Sequence, residues 1–173
     1  MSKTVVGIIM GSDSDLDIMS GAAATLDEFN VPYEVHLVSA HRTPNLIGEY
    51  AAAARGRGLK VIIAGAGGSA HLPGMTASHT TLPVIAVPVK RAHHDHEALW
   101  SSAAMPPGIP LATAPENGAK NAALLAVEIL SLSDAKLLAA YENFRTKLTK
   151  EVGRKDKKLQ ELGWEKYLKA KGM

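Results

Sequence analysis

The 173 residues fit one domain around a single core, because cores extend to about 250 residues before chains divide. Hydrophobic residues make up 46% but aromatic ones only 5%, so the core must be built from Ala, Val, Ile and Leu, which suits helices packed on a sheet. The absence of cysteine excludes disulfides and thiolate metal sites. The net charge of +2 conceals an asymmetry, since ten basic and four acidic residues follow from Arg145 onward and the first 144 residues carry −4.

Residues Met1 to Met10 hold one Lys and a short apolar run, too short for a secretory h-region or a membrane span, so a cytoplasmic protein with no membrane partner is expected. Four apolar runs read as strands in chain order: Thr4 to Met10, Pro32 to Val38, Lys60 to Ala64 and Pro83 to Val87, with a weaker fifth at Ile109 to Thr113. They lack the period-2 alternation of a half-exposed sheet, as strands covered on both faces do. Helical stretches separate them, at Asp15 to Phe29, Pro44 to Arg57 and His71 to Thr80. Two more follow, Ala119 to Leu130 and Asp134 to Lys150. Pro44 opens its helix where a missing N–H costs nothing.

Strand, loop and helix in repeating order specify a three-layer, doubly wound α/β fold with a parallel sheet of the Rossmann or flavodoxin kind. The chain reads as one catalytic domain over 1–173, with a core at about 4–130 and C-terminal helices at about 133–170. In the tail, Lys and Glu interleave with Leu148, Leu159, Leu162, Trp164 and Leu168, the pattern of a solvated helix docking one apolar face. Aromatic platforms and repeated Arg clusters are missing, so nucleic acid is not expected as a partner.

In such a fold the site lies at the carboxyl ends of the strands. Three loops leave those ends: 11–15, 39–44 and 65–74. In the first, Ser12, Ser14 and Asp15 enter a helix, offering hydroxyls, backbone N–H groups and a positive dipole end to an anion. N-capping by Ser12 or Ser14, with Asp17 in the first turn, explains part of the same pattern. In the second, Arg42 supplies a donor fork for phosphate and His41 a side chain of the type that changes charge near neutrality. Because Asp15 and Arg42 lie on loops, their substitution is expected to weaken binding and spare the fold.

Residues Gly65 to Ala70 match the dinucleotide fingerprint formally. They follow the third strand, Pro73 and Gly74 are expected to interrupt the helix beyond them, and no acidic ribose ligand stands about 20 residues onward. The glycines instead read as a backbone that closes over a small flat ligand, with His71 either touching that ligand or capping the next helix. His93, His94, Asp95 and His96 contain metal-ligand types, but partners elsewhere are not evident, and no metal site is expected.

Gly-Ser-Asp-Ser-Asp at 11–15, Ser-Ala-His-Arg-Thr-Pro at 39–44 and Gly-Ala-Gly-Gly-Ser-Ala-His-Leu-Pro-Gly-Met at 65–75 resemble, in order and spacing, the N5-carboxyaminoimidazole ribonucleotide mutase family of purine biosynthesis. Met105-Pro106, Gly108 and residues 121–126 extend the likeness over about 4–130. The resemblance implies an α/β isomerase that moves a carboxylate from the exocyclic nitrogen to C4 of the imidazole. It implies a homo-octamer that uses no metal, ATP or organic cofactor. It places Ser12 and Asp15 on the substrate, with Asp15 on the ribose, and Ser39 and Arg42 at the phosphate. It makes His41 the proton shuttle, and backbone groups of Gly67, Gly68, Ser69 and Ala70 suit a held CO₂, with Ser14 and His71 completing the binding set.

The chain departs from that family where Asp-Ser-Leu-x-Ser-x-x-Gln-Met-Pro is expected, having Glu97 to Pro106 with Ala104 in place of Gln, a His-rich stretch before it and a shorter loop at 114–118. Three rival readings are a direct aminoimidazole ribonucleotide carboxylase, a paralogue for another carboxylated ribonucleotide, and a receiver-like signalling domain. The last lacks a phospho-acceptor, because the third strand ends in Ala64-Gly65.

Overall fold

The computed structural model describes residues 4–92 and 96–172. The chain forms two compact units, Met1–Leu130 and Ser131–Met173. The first contains a five-stranded sheet in the order β2-β1-β3-β4-β5, every neighbouring pair parallel. Its strands are β1 (Val6–Met10), β2 (Tyr33–Leu37), β3 (Val61–Gly67), β4 (Val84–Val89) and β5 (Ala112–Thr113). The helices are α1 (Leu16–Glu28), α2 (Pro44–Arg57), α3 (His71–Ser78), α4 (Glu97–Ala103) and α5 (Ala119–Ser131). The doubly wound parallel sheet with helices on both sides is thus the fold that the alternating pattern specifies.

β1, β3 and β4 sit in the middle of the sheet and are almost wholly buried, which explains their unbroken Val/Ile/Ala composition. Alternate residues serve opposite faces. Ile9, Ile62 and Ala64 join Ile47, Tyr50 and Ala54 of α2 in one cluster. On the other face, a side chain at Gly65 would strike Met19 of α1.

Three expectations change in the structure. β2 is an edge strand whose Val35, His36 and Leu37 are exposed, so it is not covered on both faces. β3 runs through Gly65 to Gly67 rather than stopping at Ala64, because those glycines continue the ladder onto β4, with Gly67 paired to Val89. α3 runs from His71 through Pro73 and Gly74, since a proline in the first turn lacks only an N–H that has no intrahelical partner anyway. Helix α4 was not foreseen.

The second unit holds α6 (Ala135–Leu162) and α7 (Trp164–Ala170). Asp134 caps α6, its carboxylate accepting from the amides of Lys136 and Leu137, both at 3.0 Å. α6 extends twelve residues past the expected end at Lys150, because the interleaved Lys and Glu are good helix formers. Neither helix buries a residue. Within this unit Leu159 and Tyr167 are half-buried, whereas Leu148 and Trp164 are exposed. Among the described residues, no helix is long and apolar enough to cross a membrane.

Gly7 shows how tightly β1 is gripped. A Cβ there would fall 2.2 Å from the Tyr50 hydroxyl, which donates to Glu34 Oε1 at 2.8 Å. Glu34 also pairs with Arg57 at 2.7 Å. Burial pushes the Tyr50 phenol well above its ordinary range, and the neighbouring carboxylate adds to the effect. Gly7→Ala should force Tyr50 off Glu34 and cost about 1–3 kcal/mol, as overpacking does. Urea unfolding measures it, and an unchanged midpoint would mean that the ring moves freely.

Candidate functional site

The strand order places β1 between β2 and β3, so successive connections run in opposite directions from β1 and leave a crevice at the carboxyl ends of β1 and β3. A cavity of about 860 Å³ lies there. It gathers Ser12 and Asp15 after β1, Ser39, His41 and Arg42 after β2, and Gly67 at the end of β3 with Gly68, Ser69, Ala70 and His71 beyond it. Gly11, Ala40, Ala66 and Leu72 complete those walls. A fourth wall, Arg91 and Ala92 after β4, was missed. The signal was available: β4 is parallel to the others, so its carboxyl end must open on the same edge. Ser14 does not line the cavity; it stands behind the wall, bonded to Ser12 Oγ at 3.0 Å.

The first loop closes on itself as a capping box around a short 3-10 turn, Asp13–Asp15. Ser12 N–H donates to Asp15 Oδ2 at 3.1 Å, and Ser14 N–H to Asp13 Oδ1 at 3.0 Å and Ser12 Oγ at 3.3 Å. Asp15 N–H donates to Ser12 O at 3.1 Å. The capping reading therefore holds, with Asp15 rather than Asp17 as the acidic partner. The three amides expected to cradle an anion are already occupied.

Asp15 is only 2% exposed, and its other carboxylate oxygen accepts from Arg91 Nη2. Burial raises its pKa above the ordinary carboxylate range, opposed by the Arg91 charge and the Ser12 amide. Arg91 also donates to Ser14 O at 3.3 Å and Ser14 Oγ at 3.0 Å.

In the second loop Thr43 Oγ1 accepts from Ser39 N–H at 2.9 Å and donates to Ser39 O at 3.1 Å, fixing the turn before α2. Ser39 Oγ accepts from both Arg42 N–H and Arg42 Nε, each at 3.3 Å. Arg42 Nη2 reaches Gly11 O at 3.0 Å. Ser39 thus orients Arg42 across the mouth of the first loop. His41 Nε2 lies 2.8 Å from His71 Nδ1, with the rings edge to face at 5.0 Å between centroids. One ring donates and the other accepts.

His71 does not cap α3; Ala70 occupies the cap position in left-handed backbone, φ 43°. Gly68, at φ +60°, is the one glycine of this loop whose backbone requires the left-handed region. Gly67 answers a steric need instead: a Cβ there would lie 2.7 Å from Arg91 Nε and 3.0 Å from Val89 O. The glycines make room for the protein's own side chains as well as for a ligand.

The divergent segment supports this loop. Ser69 Oγ donates to Glu97 Oε1 at 3.2 Å, and Ser101 Oγ donates to Ser69 O. His93, His94 and Asp95 lie outside the described residues. His96 Nδ1 is 2.7 Å from Glu116 Oε2, tying the turn before α4 to the loop after β5.

A parallel sheet whose switch-point crevice brings two guanidinium groups beside paired imidazoles defines an enzyme class that takes a small anionic ligand. The chain belongs to the AIR carboxylase family, whose model matches residues 5–151. It is 52% identical over 167 residues to the N5-carboxyaminoimidazole ribonucleotide mutase of Pyrococcus horikoshii, covering 96% of this chain and 94% of that one. It is 53% identical over 172 residues to the phosphoribosylaminoimidazole carboxylase of Saccharomyces cerevisiae, covering 99% of this chain but 30% of that protein. The crystal structure of Treponema denticola PurE matches with a TM-score of 0.79 and 32% identity, over 90% of this chain and 98% of that one.

Because Asp15 is buried, its substitution should lower stability as well as weaken binding. Asp15→Ala strands the Ser12 amide and the Arg91 guanidinium and should cost about 1–3 kcal/mol. Asp15→Asn keeps an acceptor for the amide and should lose less. Chemical denaturation of both variants tests this, and wild-type stability in Asp15→Ala would contradict the role.

Proposed function

We propose that the protein is an N5-carboxyaminoimidazole ribonucleotide mutase, moving the carboxylate from N5 to C4 of its substrate in purine biosynthesis. The observation that carries this reading is the convergence of the three motif loops on one cavity, with His41 paired to His71 beside Arg42. The match to the Pyrococcus horikoshii mutase over nearly both full lengths supports it.

The N-carboxylate breaks its N–C bond, the electron pair staying on the exocyclic nitrogen, to leave CO₂ and the aminoimidazole as its N-anion. CO₂ is held against the backbone of Gly67 to Ala70, where recapture by C4 competes with escape. The new C–C bond places the C4 proton on a tetrahedral carbon. His41 removes it, restoring the aromatic ring, and returns a proton to the exocyclic nitrogen. His71 holds the imidazole of His41 in orientation through its Nδ1. Arg42, set by Ser39, takes the phosphate. No metal, ATP or organic cofactor enters these steps.

The deciding assay gives purified protein the N5-carboxylated ribonucleotide, without ATP and in chelator, against the uncarboxylated one with bicarbonate. Conversion of the first alone is expected. Conversion of the second at an equal rate would favour the direct carboxylase. His41→Asn should then lower kcat by about 10² to 10⁴ with the fold and binding retained, and His71→Asn should cost less. Loss confined to His71→Asn would move the shuttle to that residue.

A cytoplasmic homo-octamer completes the proposal. Val35 and Leu37 on the edge strand and Trp100 of α4, the last 68% exposed, provide apolar surface suited to subunit contacts. Light scattering on the full chain reads the assembly, and an active monomer at micromolar concentration would overturn it.

A further inference from the structure

The first loop presents a problem in charge. In the proposed reaction, the ligand carries a phosphate beside its carboxylate, yet the amides of Ser12, Ser14 and Asp15 are bonded within the turn, and the turn contributes the acidic groups Asp13 and Asp15. Those acidic groups work against an anion at the turn. The positive charge that reverses this must come from side chains, and two guanidinium groups reach the same turn from different strands. Arg42, after β2, donates to Gly11 O. Arg91, after β4, donates to Ser14 O and Ser14 Oγ.

Three independent features are built around Arg91. The buried carboxylate of Asp15 accepts from its Nη2. The Ser14 carbonyl accepts from its Nη1 and the Ser14 hydroxyl from its Nη2. Gly67 leaves open the space that Arg91 Nε and Cγ fill, a space any β-carbon would close. Its side chain nevertheless keeps 34% of its surface exposed and lines the cavity. The contacts named use part of a five-donor fork, leaving donors for an oxyanion.

We infer that Arg91 is a second phosphate-binding guanidinium of this pocket, bracketing the ligand's phosphate against Arg42, and that Asp15 is the positioning residue that aims it. The inference rests on the proposed ribonucleotide substrate and deepens it. It reassigns Asp15, expected on the ribose, to a role exerted through Arg91. The simplest competing role for Arg91 is neutralisation of the buried Asp15 alone. That role would move stability and leave the bound phosphate untouched.

The experiment separates the two. Binding of the C4-carboxylated ribonucleotide is measured by calorimetry for wild type, Arg91→Met and Arg91→Lys, with circular dichroism as the check on folding. Loss of one charge-assisted contact predicts Kd raised about tenfold to a hundredfold in Arg91→Met, with substantial recovery in Arg91→Lys. In parallel, phosphorus NMR of the bound nucleotide follows the second ionisation of the phosphate, about 6 when free. Two guanidinium groups should hold that ionisation lower in wild type than in Arg91→Met.

Unchanged Kd in folded Arg91→Met overturns the inference. So does a raised Kd with an unchanged phosphorus titration, which would place Arg91 on another part of the ligand. If Arg91→Met fails to fold, the Arg91→Lys comparison decides by the same two readouts, because a point charge without the planar fork should bind less tightly and shift the titration less than Arg. Failure of the wild type to turn over the N5-carboxylated substrate while it still binds the nucleotide would remove the proposed reaction and leave the Arg91 assignment standing.

Discussion

All five strands point the same way, and that constraint governs the site. A parallel sheet sends every strand's carboxyl end to one edge, so whatever the loops after β1, β2, β3 and β4 contain is brought together without any further instruction. The order β2-β1-β3-β4-β5 then parts neighbouring loops at the β1/β3 boundary. A cavity opens where the chain has no reason to fill it. The packing that enforces this order lies below the site, in Gly7 under Tyr50 and Gly65 over Met19.

Within the cavity, rigidity and charge compete for the same groups. The capping box consumes the amides of the first loop and fixes its shape, but forfeits them as anion donors. Burying Asp15 to complete that box carries a desolvation cost, which is why its carboxyl sits above the ordinary range despite the adjacent guanidinium. The sign follows from linkage. A raised folded value means that Asp15 contributes most to stability below the ordinary carboxylate range and that this contribution is lost as pH rises through the elevated value. Arg91 limits the loss at neutral pH, and Ser39 does for Arg42 what Asp15 does for Arg91: a short acceptor holds a long cation in one place.

The sheet was legible in the sequence because burial on both faces leaves an unmistakable apolar run, as at Val61 to Ala64. Edge position was not, although Tyr33 to Leu37 carries polar Glu34 and His36 among its apolar residues, because its exposure depends on which strand lies beside it. His41, Arg42 and the glycine segment were legible because their types are uncommon together at a strand end. The hydrogen bond between His41 and His71 was not, since it joins residues thirty apart through the packing of two loops. Arg91 escaped because it stands alone after β4, outside any motif, and its importance comes from a void at Gly67 and a carboxylate 76 positions earlier. Pro73 misled for a local reason: a helix-breaking residue is harmless in a first turn.

The described residues of the segments that depart from the family pattern frame the loop beside the imidazole pair. Ser101 and Glu97 of α4 hold the carbonyl and the hydroxyl of Ser69, and His96 links the start of α4 to Glu116 beyond β5. Those bonds reach the backbone of residues 67–70 at Ser69. In the proposed reaction the three motif loops carry the reacting groups, while the loops after β4 and β5 supply the pocket's remaining wall and its support. Among the described residues the two sets meet at Ser14, Asp15, Gly67 and Ser69.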